Sequence, residues 1–240
     1  MTYVMSDIHG YMGRFMVMLK KINFSDSDEL YVIGDVIDRG PNGIEIIKYI
    51  MTHPNIHFIM GNHEHMLLTY IEKNPIYRPP YTDSYMKQLI GHNGGDDTLS
   101  DYTALSPDEK NKIHAFLKNS PYTASITVNG KSFYLVHGCP IPEEEKEYGI
   151  DEYNFNCVWE RPPMTKYHIP DNGPTVIIGH TPTMRYTGDA DKRKIFRFQT
   201  SDDPNAESKM IDVDCGMSSP YPQYRTLGCM CLDTMEEFYV

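Results

Sequence analysis

The chain has 240 residues, enough for one sizeable core and short for two ordinary domains. Lys plus Arg is 22 against 33 for Asp plus Glu, a net charge of −11. That argues against non-specific binding to nucleic acid, but not against a phosphate substrate, because bound cations reverse the local field. The five cysteines, Cys139, Cys157, Cys215, Cys229 and Cys231, are odd in number and include no Cys-x-x-Cys pair, which speaks against a disulfide framework and a structural zinc site.

Thr2-Tyr3-Val4-Met5 enters a strand at once, without the basic and apolar regions of a signal peptide. Phe15, Met18, Leu19 and Ile22 then fall at i, i+3, i+4 and i+7, one face of a helix. Leu30 to Ile33 is a buried strand. Pro41 is expected to open the next helix, with Ile44, Ile47, Ile50 and Met51 as its stripe. Ile56 to Met60 is a third strand, and residues 63–73 continue as helix. This alternation predicts an α/β fold with a parallel sheet in this half.

Prolines 75, 79, 80 and 121 punctuate a helical excursion over 74–121, with helices near 83–91 and 107–118; Ser106-Pro107-Asp108-Glu109 has N-cap and first-turn chemistry. The excursion belongs to a single domain spanning 1–240. Tyr122–Val128 and Lys131–Val136 flank Asn129-Gly130, a hairpin signal. Val176–Ile178, Ile195–Phe198, Met210–Val213 and Leu227–Leu232 are further strands, and Glu143–Glu147 reads as a solvated loop. No apolar run is long enough to cross a bilayer, so the expectation is a soluble cytoplasmic protein with no membrane partner.

Five polar motifs punctuate these elements: Asp7-Ile8-His9-Gly10, Gly34-Asp35-Val36-Ile37-Asp38-Arg39-Gly40, Gly61-Asn62-His63-Glu64, Val136-His137-Gly138 and Gly179-His180-Thr181. Asp7, Asp35 and Asn62 each stand just past a strand's C-terminal end, the edge where ligands gather in α/β sheets. Asp7 and His9, two apart on an extended segment, would point the same way and bind a first divalent ion. Asp35 would bridge two ions; Asn62, His137 and His180 would complete the second. The mixed oxygen and nitrogen set suits manganese, with iron or zinc as alternatives. Such a pair acidifies a bridging water that attacks phosphorus in line. His63 is placed to protonate the leaving oxygen, Asp38 to orient and charge that imidazole, and Arg39 to fork phosphate oxygens.

These motifs, at positions 7, 34, 61, 137 and 179, resemble the phosphoprotein phosphatase branch of the calcineurin-like metallophosphoesterases, with Asp38 and Arg39 as the mark of that branch. The likeness spans residues 3–182, and weakly to 233. It implies a four-layer sandwich of two mixed β-sheets flanked by helices. It also adds Arg161: bacterial and phage members carry Trp-x-Arg, matched by Trp159-Glu160-Arg161, whose arginine clasps phosphate. Gly94-Gly95 with Thr98 resembles the Gly-Gly-x-x-Thr segment of bacterial relatives. Cys139 departs from the usual His-Gly-Gly or His-Ala-Gly.

The expected activity is hydrolysis of phosphomonoesters in a phosphorylated protein, peptide or small phosphoester, of the Ser/Thr protein phosphatase type. A symmetrical bis(5'-nucleosyl)-tetraphosphatase is the alternative, and a non-catalytic metal-binding protein of the same fold a more distant one. Glu64 is read as ordering its loop, and Asp212 and Asp214, at a strand end before Cys215-Gly216, as supporting either the site or the fold. His53, His57, His65, His92, His114 and His168 lack motif context and are assigned to solvent or helix surfaces.

Overall fold

Two five-stranded mixed β-sheets lie face to face in the computed structural model of the chain, which describes residues 1–73, 82–163, 169–170, 172–189, 193–203 and 206–240. The first half alternates as expected: β1 (Thr2–Ser6), α1 (Met12–Lys21), β2 (Glu29–Ile33), α2 (Gly43–Met51), β3 (Ile56–Ile59) and α3 (Asn62–Glu72). Strands β1, β2 and β3 are parallel, with Val4 opposite Tyr31 and Val32 opposite Phe58. Helix α2 starts at Gly43 and not at Pro41. The Pro41-Asn42 turn is used otherwise: Asn42 N–H donates to the Gly10 carbonyl at 3.0 Å, tying the second motif to the first.

The excursion carries α4 (Asp83–His92), α5 (Asp96–Ala104) and α6 (Pro107–Asn119); Pro75, Pro79 and Pro80 lie outside the described residues. Helix α6 opens with a reciprocal capping box between Ser106 and Glu109. Helix α5 is an addition to the sequence reading. Its buried residues, Thr98 and Tyr102, are an i, i+4 pair with no aliphatic stripe to announce it.

The second half holds β4 (Thr123–Val128), β5 (Lys131–Val136), α7 (Ile150–Trp159), β6 (Thr175–Ile178), α8 (Met184–Thr187), β7 (Phe196–Arg197), β8 (Met210–Asp212), β9 (Gly228–Cys231) and β10 (Glu237–Tyr239). Val128 pairs with Lys131 across a two-residue turn, and Asn129 and Gly130 both have positive φ (50° and 78°), as a type I′ turn demands. The acidic run forms a 3₁₀ turn over Glu143–Tyr148 in place of the expected loop and leads into α7, which the sequence did not announce.

The first sheet runs β10-β9-β1-β2-β3 and the second β4-β5-β6-β8-β7. Side-chain alternation sorts three cores between four layers. Val4, Ile33, Ile177, Ile211 and Met230 fill the space between the sheets. Tyr3, Met5, Leu30 and Val32 turn the other way, onto α1 and α2. Val136, Val176, Ile178 and Met210 face α7 through Tyr153 and Cys157. Cys229 and Cys231 lie on the helical side of the first sheet; all five cysteines are buried and none is in a disulfide. Among the described residues no helix is long and apolar enough to cross a membrane.

Candidate active site

Parallel strands of both sheets deliver their C-terminal ends to one seam. Asp7 and His9 follow β1, Asp35 and Asp38 follow β2, Asn62 and His63 open α3 just beyond β3, and His137 and His180 follow β5 and β6. Residues remote in sequence therefore meet: His180 N–H donates to Asp7 Oδ2 at 3.0 Å.

The local backbone is strained. Of the ten non-glycine residues with positive φ among those described, six are Asp7, His9, Asp35, Asp38, Arg39 and His180. Asp7 and His9 are thus not on an extended segment, as their spacing predicts; their φ values are 53° and 49°. Pairing of β1 with β2 ends at Ser6 opposite Ile33, and the chain must turn over the sheet crest. The turn is held by Asp7 N–H to the Gly34 carbonyl (3.1 Å) and His9 N–H to the Asp35 carbonyl (2.8 Å). The two side chains still converge, with Asp7 Oδ1 3.7 Å from His9 Nε2.

Asp35 is the centre of the array. Its Oδ2 lies 3.9 Å from His9 Nε2 and 3.7 Å from His63 Nε2. Its Oδ1 lies 3.2 Å from His137 Nε2. Asn62 Oδ1 is 3.0 Å from His137 Nε2 and 2.8 Å from His180 Nδ1. One carboxylate thus faces two buried groups, His9 with His63 on one side and His137 with His180 on the other. His9 Nδ1–H donates to the Ile37 carbonyl at 3.1 Å, and His137 Nδ1–H to the Ile33 carbonyl at 2.9 Å. That fixes both tautomers with the Nε2 lone pair inward, the usual arrangement behind metal-ligating histidine. Lone pairs then meet lone pairs, which is stable only with cations or protons between them. Buried Asp7 Oδ1 and His180 Nε2 have no hydrogen-bond partner, so the donor set fits a pair of divalent ions.

Charge follows the same division. Burial opposes ionisation of Asp35, but His137 and His63 outweigh it and hold its carboxyl well below the ordinary range. Burial likewise opposes charge on His137, yet Asp35 pushes its imidazole up to about 10. His63 is raised too, Asp35 and Asp38 overcoming burial. His9 and His180 are lowered, by burial and then by the neighbouring His63 and His137 respectively.

His63 is buried and its Nδ1 lies 2.5 Å from Asp38 Oδ2. The excursion supports this pair. Asp38 N–H donates to Thr98 Oγ1 (3.1 Å), and Arg39 N–H to the Gly94 carbonyl (2.6 Å). Gly94 has φ +81°, and a Cβ there would come within 3.0 Å of Arg39 Cγ. Glu64 accepts N–H bonds from Asp35 (2.9 Å), Val36 (2.8 Å) and Ile37 (3.1 Å), ordering its loop as expected, while burial and Asp35 push its carboxyl up to about 7.

A cavity of about 230 Å³ opens over the array, lined by His9, Asp35, Asn62, His63 and His180 together with Arg39, Trp159 and Arg161. Helix α7 brings Trp159 edge-on to His180, ring centroids 6.1 Å apart. Asn93, Pro182, Arg185 and Ser218 also line the cavity, and the sequence reading assigned none of them a role in the site. Asn93 adjoins the glycine pair and Pro182 the fifth motif, signals that were present; Arg185 and Ser218 carry none. Asp212 and Asp214 are buried behind Asp7, whose carboxyl is raised by burial and then by Asp214.

One histidine departs from the sequence assignment. His65 is buried, because α3 packs against α6 and α7 as well as the sheet, and its Nδ1 meets the Tyr122 hydroxyl at 2.8 Å. Burial lowers its pKa to about 4. His168 lies outside the described residues.

A family model for calcineurin-like phosphoesterases matches residues 2–206. The chain belongs to that family. Among curated members, the symmetrical bis(5'-nucleosyl)-tetraphosphatase of Erwinia tasmaniensis is 28% identical over 123 residues, 50% of this chain and 38% of that protein. The first such relatives align over only 23% to 38% of their own length. Two solved structures share the family fold. One, provisionally named a diadenosine tetraphosphatase, superposes with a TM-score of 0.59 at 16% identity, covering 100% of this chain and 92% of the other. The other, a protein serine/threonine phosphatase from Saccharomyces cerevisiae, gives 0.56 at 14% identity, covering 100% and 78%.

Proposed function

We propose that the chain is a binuclear metal-dependent hydrolase of phosphoric esters and anhydrides. The observation that carries this is Asp35, a single buried carboxylate with one oxygen toward each of two ligand groups. Asp7, His9 and Asp35 would hold one ion; Asp35, Asn62, His137 and His180 would hold the other. Two ions so held polarise phosphoryl oxygens and acidify water. The remaining roles belong to the protein. His63, whose charged form Asp35 and Asp38 favour against the effect of burial, lines the cavity and would donate a proton from Nε2 to the leaving oxygen. Arg39 and Arg161, on the cavity wall, hold non-bridging phosphate oxygens. Burial of the array excludes bulk water and strengthens each of these interactions.

Two substrate readings follow. The Asp38-Arg39 signature favours a phosphomonoester, as in Ser/Thr protein phosphatases. The names of the curated relatives favour a dinucleoside tetraphosphate, and we place that first. The test is a panel run on manganese-loaded protein: diadenosine tetraphosphate, a phosphoserine peptide and an aryl phosphate. We expect ADP from the dinucleotide at the highest kcat/KM. Faster release of phosphate from the peptide would restore the protein phosphatase reading. Two bound ions with no hydrolysis of any ester would make the chain a binding protein.

A further inference from the structure

A second cavity adjoins the one over the array. Arg39, Pro182, Arg185 and Ser218 line both. The second holds about 420 Å³, within the ~300–1,000 Å³ range of small-molecule sites. One wall is the segment from Ser219 to Tyr224, and two arginines brace it, Arg193 from within the lining and Arg225 from beside it. Arg193 donates to the Tyr224 carbonyl at 2.5 Å, and its guanidinium lies 4.6 Å over the Tyr224 ring. Arg225 Nε donates to the Ser219 carbonyl at 2.8 Å, and its guanidinium lies 4.6 Å over the Tyr11 ring. On this fixed wall Tyr221 stays 60% exposed, its ring 6.0 Å from that of Tyr224 and at 83° to it. An exposed ring at the mouth of a largely apolar, preformed hollow is a stacking platform.

Charge gives the second observation. Arg39, Arg161 and Arg185 all line the first cavity, and none forms an ion pair among the described residues. This occurs in a chain of net charge −11. Arg161 and Arg185 crowd one another: after partial burial, Arg185 is the next cause holding Arg161 below the ordinary arginine value. One terminal phosphate, with at most about two negative charges, does not match three guanidiniums beside a cationic cluster. A chain of phosphates does.

We propose that the second cavity binds the planar base of a nucleoside whose polyphosphate chain runs past Arg185 and Arg39 to the metal-side cavity, with Tyr221 stacked on the base. The proposal rests on the phosphohydrolase reading and narrows it to substrates that carry both a ring and several phosphates. Stacking reads a π-face and not hydrogen-bond edges, so adenine and guanine are accepted alike.

The test is calorimetric titration of the manganese-loaded full chain with ADP and, as the ring-free probe, inorganic tripolyphosphate. Tyr221→Ala should weaken ADP about tenfold more than tripolyphosphate, and Tyr221→Trp should restore the ADP affinity. Arg185→Ala should weaken both ligands. Equal losses for the two probes in Tyr221→Ala, or ADP bound no more tightly than tripolyphosphate, would overturn the base site. Selective loss of phosphopeptide affinity in the same variant would also overturn it and make the hollow a peptide groove. The binding readout is separate from turnover: a stacking effect on ADP in a protein that hydrolyses nothing would sink the phosphohydrolase reading and leave the base site standing.

Discussion

His63 Nδ1 stands 2.5 Å from Asp38 Oδ2, and both side chains are sealed from solvent while His63 Nε2 looks into the cavity. A buried carboxylate behind an imidazole fixes its tautomer and favours its charged form.

Under the assigned role, His63→Asn lowers kcat by about two to four powers of ten, the usual range for losing an acid–base group. Metal content measured by mass spectrometry stays at wild-type level. Unchanged turnover would remove His63 from the chemistry. Asp38→Asn should be milder and should alter the pH profile. Asp38 raises the His63 pKa, so its loss lets the imidazolium deprotonate sooner, and the basic limb of the kcat profile moves to lower pH.

In the absence of cations, Asp35 pushes the His137 pKa up to about 10, so at neutral pH this ligand carries a proton that a metal must displace. Manganese binding at pH 7 should therefore release protons, and apparent affinity should rise with pH. Calorimetry in buffers of different ionisation enthalpy measures the number released. A value of zero would contradict the protonated array.

Glu64 accepts three backbone N–H bonds from the segment after β2. In Glu64→Gln the amide turns a donor toward one of those donors. The expected loss is about 1–3 kcal/mol, or roughly 2–4 °C of Tm for each kcal/mol in a protein of this size. Thermal unfolding at fixed pH and metal concentration decides it.

His65 contributes to the acid sensitivity of the fold. Its pKa is about 4 when folded against an ordinary 6.5, so as pH falls the unfolded chain takes up its proton first. The neutral side chain's stabilisation is present above pH 6.5, falls by about 1.4 kcal/mol per pH unit, and is gone below about pH 4. In His65→Gln the difference in stability from wild type should therefore shrink or reverse between pH 7 and pH 4.5. A difference independent of pH would show that His65 is not buried neutral.

Much of the fold was legible because its signals are local. The β1-α1-β2 alternation, the Asn129-Gly130 turn and the Ser106 capping box each write their geometry into adjacent residues. The convergence of Asp7, Asp35, Asn62, His137 and His180 was legible too, since each follows an apolar strand and strand ends of an α/β sheet share an edge. What stayed hidden depends on packing. Helix α7 buries Tyr153, Cys157 and Val158 between polar neighbours and starts from Gly149, with no polar cap. His65 reads as a surface histidine until α6 and α7 cover its face of α3. Arg185 reaches the cavity from the single turn of helix α8 and Ser218 from the turn after Gly216, and no local pattern specifies the path of either.

The left-handed backbone at Asp7, His9, Asp35, Asp38, Arg39 and His180 bears on any effort to engineer a hardier variant. Each such position would relax if given glycine, by on the order of 1 kcal/mol. Yet every one of those side chains faces the array or its wall. Screens selecting only for heat resistance should therefore enrich glycine here and recover well-folded, inert proteins, because the comfort of this backbone and its usefulness are set against each other at the same six residues.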